Sequence, residues 1–414
     1  MKKIEYYDEA ETQDAAQREA SLCARLPEFL QRAVLVSPGL KSHLAGHDLA
    51  AVTSADALAT LPVLRKSALT EAQEASPPYG GFADESSLQG TRIFMSPGPV
   101  WEPQPPGIDP WQTARSLFAA GLRAGHRVHN AFSYHMTPGG LMLDEGARAL
   151  GCQVFPAGIG NTEQQVEAAA FYRPDAYVGT PDYLKVLLDK AMDTKADLSC
   201  IKRALVSGGA LFPAMRDEYQ QRGVQVLQAY ATADIGVIAY ESETAGSPNP
   251  GMLINENLIV EVVRPGTGDP VATGEVGELV VTTFNSSYPL VRFATGDLTA
   301  VMEGASPCGR TGIRIQGWMG RADQRTKIKG MFVDPRQVDR VQKQHPEIKR
   351  ARLLVSREND TDKLTLMVES DVPLDTSAVE ATVQSVLRLR GEVVQVSEPL
   401  PNDGIVVADE RDYS

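Results

Sequence analysis

The stretch IKRALVSGGALFPAMRDEYQQRGVQVLQAYATADIG, residues 201–236, decides the fold class. A short β-rich run, KRALV, leads into a glycine turn, and the segment FPAMRDEYQQRG that follows has a helical composition. The segment VQVLQAYATADIG comes next and is predicted to be a second strand that ends in a polar loop. This order of strand, helix and strand predicts a βαβ unit and hence parallel strands. Because ligands bind at the carboxyl ends of such strands, the loops VSGGA and AYATADIG are the candidate site.

The same alternation extends upstream to about residue 126. HRVHNAF, CQVFPA and DAYVG have the composition of strands, and helices are predicted to begin at Thr137 with Pro138 next, and at Asn161 with Gln164 completing a capping box. Beyond about residue 236 the apolar period becomes two, which predicts a β-rich subdomain. From about residue 317 there are enough elements for a small α+β domain, including a helix capped by Asp334.

The expected fold class is therefore α/β. A large N-terminal α/β domain, with a parallel sheet and a β-rich subdomain, is predicted for residues 1–318, and a small C-terminal α+β domain for residues 319–414.

Composition narrows the possible partners. The 414 residues include 40 Lys+Arg against 53 Asp+Glu, a net charge of −13, which argues against nucleic acid. The start, MKKIEYYDEAETQDAAQREA, turns acidic at once, so no signal peptide is expected, and no apolar run approaches the roughly 18 residues that cross a bilayer. Four cysteines and six histidines form no CxxC or HExxH, so no zinc site is predicted. We expect a soluble, cytoplasmic protein without a membrane partner.

Four motifs in order carry a family resemblance. AYATADIG (229–236), YPLVRFATGD (288–297), GRADQRTKIKG (320–330) and LPNDGIVVADER (400–411) resemble the core motifs of the adenylate-forming (AMP-binding) superfamily. LPVLRKSAL (61–69) and GCQVFPAGIGNTEQQ (151–165) resemble segments of its phenylacetate-CoA ligase branch. The resemblance covers nearly the whole chain.

The resemblance implies an acid–CoA ligase. A carboxylate, here an aryl acid, would attack the α-phosphate of ATP to give an acyl adenylate and pyrophosphate, and the thiol of coenzyme A would then displace AMP. ATP or AMP, Mg²⁺ and coenzyme A are the implied cofactors. Residues 1–318 would form the AMP-binding domain and residues 319–414 a mobile one, and a homodimer is plausible for this branch.

The resemblance also implies a nucleotide site. The nucleotide-binding set is Ser207, Gly208, Gly209, Ala210, Tyr230, Ala231, Thr232, Asp297 and Arg321. Asp297 would accept both ribose hydroxyls, since a carboxylate can accept from two donors; alternatively it only ends a strand after Gly296. The glycines would let adenine approach the backbone, form a tight turn, or do both.

Catalytic and metal-binding roles follow from the same motifs. Asp234 falls where the family has an acid near Mg²⁺, an ion that takes carboxylate oxygens, phosphate oxygens and water. Thr232 and Arg321 complete the implied catalytic set, although a surface arginine is the alternative for Arg321. Ala233 stands where the family has a hydroxyl residue, which leaves Thr232 as the nearest substitute.

The acyl group would lie against the segment FSYHMTPGG. The implied substrate-binding residues are Phe132, Tyr134, His135 and Gly139, because aromatic surface with a polar tip suits an aryl acid. A packed core histidine is the alternative for His135.

The basic run after Trp318 would belong to the moving domain. In the family a hinge that matches Asp323 lets the small domain alternate between an adenylating and a thioesterifying position. Arg325, Lys327 and Lys329 would line the moving face, or each lysine is simply solvated.

The first of two departures from the family pattern lies in the degenerate phosphate loop FMSPGPVWEP, which retains Ser96 and Gly98. Pro97 and Pro99 have no N–H to donate, and Glu102 adds negative charge where the family has a lysine. Tight cradling of the β- and γ-phosphates is therefore not expected.

The second departure is Ile405, which stands where the family has a lysine that bridges the carboxylate and the α-phosphate. An alternative function follows: an adenylation-deficient homologue that binds AMP, acyl adenylate or CoA and catalyses a partial reaction or none. A binding module without catalysis is a third reading, and fold analogy alone does not separate them.

Overall fold

The computed structural model describes residues 4–322, 324, 326–358, 361–401 and 405–411. The chain divides into two compact units: residues up to Thr295 together with Thr299–Trp318, and Gly296–Leu298 together with the chain from Met319 onward. In the described part, no helix is long and apolar enough to cross a membrane.

The helices of the first unit are α1 Ala15–Val36, α2 Pro38–His43, α3 Ala55–Ala59, α4 Lys66–Ala75, α5 Thr113–Ala119, α6 Gly139–Ala149, α7 Thr162–Tyr172, α8 Pro181–Thr194 and α9 Pro213–Gln221. Those of the second are α10 Pro335–Gln344 and α11 Thr376–Leu387. Three short 3₁₀ turns cover Glu9–Thr12, Leu49–Ala51 and Glu85–Leu88.

The strands up to residue 254 are β1 Leu64–Arg65, β2 Ile93–Ser96, β3 Val100–Pro103, β4 Arg127–Asn130, β5 Gln153–Pro156, β6 Ala176–Gly179, β7 Arg203–Val206, β8 Gln225–Thr232, β9 Gly236–Tyr240, β10 Glu243–Thr244, β11 Ser247–Pro248 and β12 Met252–Ile254. The later strands are β13 Ile259–Val263, β14 Gly277–Thr282, β15 Phe293–Thr299, β16 Val301–Met302, β17 Arg314–Ile315, β18 Thr326–Ile328, β19 Met331–Val333, β20 Arg350–Glu358, β21 Thr361–Glu369, β22 Glu392–Gln395 and β23 Val407–Asp409.

A nine-stranded sheet in the order β16-β17-β12-β9-β8-β7-β6-β4-β5 organises the first unit. β5, β4, β6, β7 and β8 pair in parallel, with Val178 opposite Leu205 and Leu205 opposite Leu227. These central positions are apolar and buried, as strands covered on both faces require. The predicted α/β class with a parallel sheet is confirmed.

Local boundaries differ from prediction at three places. β8 continues through Thr232, because its last residues pair antiparallel with β9 across a register shift after Tyr230, so the polar loop begins later than expected. α6 begins at Gly139, after Pro138, and the predicted cap at Thr137 is wrong. Asn161 precedes α7 in a left-handed conformation without a side-chain cap bond, so the predicted capping box is wrong too.

The predicted β-rich part contains a four-stranded sheet in the order β1-β15-β14-β13. Arg292, which immediately precedes β15, is 2% exposed and connects this sheet to the segment before β1. Its guanidinium makes a forked pair with Glu261 at 3.0 and 2.9 Å and also donates to the carbonyls of Ala59, Leu61 and Gly268. Nε, Nη1 and Nη2 of Arg292 therefore all donate to acceptors within the protein. These contacts give Arg292 a structural role, not the role of a phosphate ligand.

The second unit is built on the sheet β22-β21-β20-β23 with α10 and α11. As predicted, Asp334 caps α10, and it forms a full capping box with Gln337. The basic run forms the small hairpin β18-β19, in which Lys327 and Lys329 are exposed. The predicted hinge Asp323 and the neighbouring Arg325 lie outside the described residues.

Replacing Arg292 with lysine should destabilise the first unit. An ammonium keeps the charge but does not reproduce the planar fork to Glu261, so buried acceptors lose their donors. A buried acceptor left without its donor typically costs about 1–3 kcal/mol, and we expect a lower midpoint in scanning calorimetry. Arg216→Lys is the matched control, because Arg216 makes a similar pair with Glu241 nearer the surface and should cost about 1 kcal/mol. Equal shifts in both variants would contradict the role given to Arg292.

Candidate active site

The glycine turn after β7 lies against the segment that follows β4. Gly208 has a φ of +70°, which favours glycine, and a Cβ added there would lie 3.6 Å from Cε1 of Phe132 and 3.9 Å from Cγ2 of Thr180. A Cβ added to Gly139 would lie 3.6 Å from Cδ1 of the same Phe132 ring. Residues predicted for the nucleotide and acyl subsites therefore lie side by side at the carboxyl ends of β4, β6 and β7.

The acyl segment is held together by its own polar contacts. Asn130 donates from Nδ2 to the Tyr134 hydroxyl at 2.7 Å and to the Gly140 carbonyl at 2.8 Å, and the Tyr134 hydroxyl donates to Asp144 at 3.2 Å. Burial and the Asp144 carboxylate raise the pKa of Tyr134 above its ordinary value. The polar tip of Tyr134 thus serves the segment itself. His135 is exposed, so a packed core histidine, the alternative for that residue, is wrong.

The end of β8 leads directly into a tight turn. The Thr232 hydroxyl accepts a hydrogen bond from the Ile235 N–H at 3.3 Å, and Gln228 donates to the Gly209 carbonyl at 3.1 Å, which connects β8 to the glycine turn. Tyr230 is half-buried and packs against the apolar cluster that includes Ile238. These contacts hold the two predicted nucleotide loops next to each other.

Asp234 is the most deeply buried charged residue of these loops. Its carboxylate is 1% exposed and accepts a hydrogen bond from Nζ of Lys66 at 2.9 Å, whereas the Lys66 side chain is 30% exposed. Its second oxygen, Oδ1, is buried and has no hydrogen-bond partner among the described residues. A buried oxygen without a donor is costly, so Asp234 is suited to a further ligand.

The expected phosphate loop is a β-hairpin in the structure. β2 and β3 pair antiparallel with Ser96 opposite Val100, which leaves Pro97, Gly98 and Pro99 in the turn. The Ser96 N–H donates to Glu102 at 3.2 Å, and the Ser96 hydroxyl donates to the other oxygen of the same carboxyl. Glu102, at 1% exposure, therefore takes both donors of Ser96.

Sequence analysis missed Lys66 and misjudged Glu102. Lys66 begins α4 and lies in the motif LPVLRKSAL, so its position within a family motif was the available signal. Nothing in the local sequence placed it beside Asp234, which is 168 positions away. Glu102 was expected to face the phosphates, whereas its carboxyl is bonded back to the hairpin.

The remaining predicted nucleotide residues lie in the second unit. Asp297 and Arg321 form a backbone bridge, and Nη1 of Arg321 donates to Oδ1 of Asp297 at 3.0 Å. A Cβ added to Gly296, whose φ is +75°, would lie 2.5 Å from Nη2 of Arg321, so only glycine leaves room for this guanidinium. The two motifs TGD and GRAD are thus in contact with each other.

The side chains of this site could bind Mg²⁺ only together with oxygen ligands from a substrate. Within the described ranges no group of three or more His, Cys, Asp or Glu side chains could hold a metal. Asp234, with its unpartnered Oδ1, fits an ion that is bound by one or two carboxylates together with phosphate oxygens and water.

Glu102 should make stability depend on pH. Burial and, after it, the Asp234 carboxylate raise the pKa of Glu102 to about 8, from an ordinary 4.5. Between these values the folded state holds a proton that the unfolded state has lost, so the free energy of unfolding falls as pH rises through the window, by at most about 1.4 kcal/mol per pH unit. Glu102→Gln should remove this slope. In metal-free buffer, the melting temperature of the variant relative to that of wild type should increase between about pH 5 and about pH 8. Parallel curves of melting temperature against pH would refute the raised pKa of Glu102.

Comparisons with known proteins agree with this geometry. Residues 113–286 match the family of AMP-binding enzymes. The chain is 33% identical to a phenylacetate-coenzyme A ligase of Thermus thermophilus over 309 residues, covering 72% of this chain and 69% of that protein. It is also 33% identical to the enzyme of the same name from Escherichia coli K12, covering 70% and 69%. A 2-hydroxyisobutyryl-CoA ligase, solved with 2-HIB-AMP and CoA, superposes with a TM-score of 0.78 at 26% identity, covering 98% of this chain and 92% of that one. The chain therefore belongs to the adenylate-forming (AMP-binding) superfamily, in its phenylacetate-coenzyme A ligase branch.

Proposed function

We propose that this protein is an AMP-forming acid–CoA ligase that activates an aryl, phenylacetate-like acid through an acyl adenylate and transfers the acyl group to CoA. The observation that carries the proposal is that Phe132 lies beside the Gly208 turn, at the carboxyl ends of the parallel strands. The aromatic wall proposed for the acid thus lies next to the backbone surface proposed for the nucleotide. The two substrates must be bound side by side before they can react with each other.

The nucleotide subsite is assigned to two neighbouring loops. Adenine would lie between the turn Ser207–Ala210 and Tyr230, where missing side chains expose the backbone to the base. Thr232 follows at the end of β8, and its hydroxyl is directed into the turn that carries Asp234. The loops therefore provide a base subsite at one end and a charged residue at the other.

Lys66 supplies the positive charge that the phosphate loop lacks. Charge accumulates on phosphate oxygens during adenylation, and a fixed cation lowers the energy of that state. Nζ of Lys66 is held by Asp234 on one side, and its partly exposed side chain leaves the other side open to a ligand. Mg²⁺, held by Asp234 when bound, would neutralise further phosphate charge.

The second unit is proposed to take part through Asp297 and Arg321. Asp297 would accept from the ribose hydroxyls, and Arg321, which holds Asp297 at 3.0 Å, would orient that carboxylate and contact phosphate. Residues 1–318 and 319–414 are proposed as the AMP-binding domain and the mobile domain, with Asp323 as the hinge. The sequence motifs support this division.

The acyl subsite is assigned to Phe132 and Gly139, with Tyr134 as a wall whose hydroxyl is engaged by Asn130 and Asp144. A flat ring fits against Phe132, because aromatic pairs prefer offset or edge contacts. His135 is exposed and would contact the acid only at the mouth of the pocket.

Small-molecule substrates suit an acidic protein of this family. We also propose that the protein is a cytoplasmic homodimer, which the resemblance to the phenylacetate-CoA ligase branch supports. Light scattering of the purified protein tests the dimer.

The adenylation-deficient alternative is supported by Ile405 and by the bonded Glu102–Ser96 pair. The curated relatives favour the complete ligase. Both readings share the nucleotide site and differ only in the rate of the first half-reaction.

Pyrophosphate release is the direct test of the ligase. We expect purified protein with Mg-ATP to release pyrophosphate in the presence of aryl acids and, less, of short aliphatic acids, and to form acyl-CoA only when CoA is added. Lys66→Met should lower the rate by about 10²-fold, because a cation on the phosphates is lost. Arg65→Met, next in the chain but paired with Glu278, is the control and should retain activity. No acid-dependent release together with calorimetric binding of AMP would favour the alternative.

Ile405→Lys should raise the rate of adenylation. Ile405 is 42% exposed, so a lysine there is not forced into an apolar core. A restored contact to the developing charge is worth about 10²-fold in rate, measured as acid-dependent exchange between pyrophosphate and ATP. Val372→Lys adds the same charge at another exposed site of the second unit and should change nothing. An equal gain in both variants would mean that general charge, not position 405, is responsible.

A further inference from the structure

The hairpin β2-β3 carries a buried acid in the place where the family's phosphate loop offers donors. Glu102 lies on β3, opposite Phe94 of β2, and is 1% exposed. Ser96, at the end of β2, is 7% exposed. The Ser96 N–H and hydroxyl both donate to the Glu102 carboxyl, one to each oxygen.

Few other donors remain in this turn. Pro97 and Pro99 have no N–H, so between positions 96 and 99 the donors are the amides of Ser96 and Gly98 and the Ser96 hydroxyl. Both Ser96 donors are already bonded to Glu102. The carboxyl therefore takes the donors that a phosphate group would need at this hairpin.

We propose that Glu102 is an internal competitor for the β- and γ-phosphates and so sets the nucleotide preference of the site against ATP and pyrophosphate and in favour of AMP. This inference rests on the proposed function. A carboxyl oxygen and a phosphate oxygen can both accept hydrogen bonds from the same N–H and O–H groups. A polyphosphate must displace Glu102 from Ser96, whereas AMP has no β- or γ-phosphate and need not.

The surrounding charges act in the same direction. Glu102 lies near enough to Asp234 and Lys66 for both charges to shift its pKa. Asp234 already takes one hydrogen bond from Lys66 at 2.9 Å. The ammonium of Lys66 is thus already paired with a carboxylate, which weakens its attraction for an incoming polyphosphate.

The site should therefore bind both ATP and pyrophosphate weakly. ATP would bind with a high dissociation constant, and pyrophosphate, the product of the first half-reaction, would leave readily. The acyl adenylate carries only the α-phosphate, so its retention for attack by CoA does not depend on the hairpin.

Isothermal calorimetry with three ligands tests the inference. Dissociation constants are measured for Mg-ATP, Mg-pyrophosphate and AMP with wild type, Glu102→Gln and Glu102→Met. We expect both variants to bind ATP and pyrophosphate about tenfold more tightly, with AMP unchanged within about twofold. Two variants are used because a buried carboxyl can be replaced by an amide or by an apolar side chain of similar size.

Glu145→Gln is the matched control. Glu145 is a partly buried acid on α6 that accepts from Gln104, just after β3, at 2.8 Å, and it has no bond to Ser96. Its loss should alter none of the three dissociation constants.

The outcomes separate the two proposals. If AMP binds but the variants hold ATP and pyrophosphate no more tightly than wild type does, Glu102 only supports the hairpin and the inference is overturned, while the proposed function stands. If all three ligands tighten equally, Glu102 has no selectivity and the inference is again overturned. If no protein, wild type included, binds AMP or ATP, the nucleotide site is absent and both proposals fail.

Discussion

Parallel pairing of β5, β4, β6, β7 and β8 is the constraint on which the rest of the first unit depends. Parallel strands need a crossover between each pair, and helices α6 to α9 supply these crossovers. The carboxyl ends of the strands then lie at one edge, and the loops at that edge need not be close in sequence. Phe132 lies beside Gly208 there because their strands, β4 and β7, are separated only by β6.

The same edge of the sheet holds two buried acidic side chains, and each must be stabilised. Asp234 is buried, and a buried carboxylate is stable only with a partner. Lys66 provides one partner for one oxygen. Burial of Glu102 is tolerated for a different reason: its carboxyl accepts hydrogen bonds from Ser96, and its raised pKa favours the neutral form. The site thus holds two acids in unlike environments, one paired with a cation and one bonded to a neutral residue, which is a common way to give two carboxyl groups different roles.

Other buried ion pairs of the first unit are structural. Arg292 bonds Glu261 and three carbonyls, and Arg310 bonds Glu11 at 2.8 Å with both side chains buried. Sequence alone did not separate these arginines from phosphate ligands, because arginine serves both purposes. In the structure, the protein acceptors that each of these guanidinium groups contacts show that both arginines have structural roles. Lys66 differs from both in being partly exposed, and among the residues that the structure describes a single carboxylate, that of Asp234, is its ion-pair partner.

Much of this protein was determined by the sequence alone. Periodicity and turn residues predicted the parallel sheet, the helix cap at Asp334 and the α/β class, because these depend on neighbours a few positions apart. The order of four motifs indicated the family. Only the tertiary structure decided that Lys66 meets Asp234, that Glu102 turns back onto Ser96 and that Tyr134 is engaged by Asn130 and Asp144. Such contacts follow from where the packed strands bring distant side chains, and ion pairs and hydrogen bonds form only within a few ångströms, a distance that local sequence patterns do not encode.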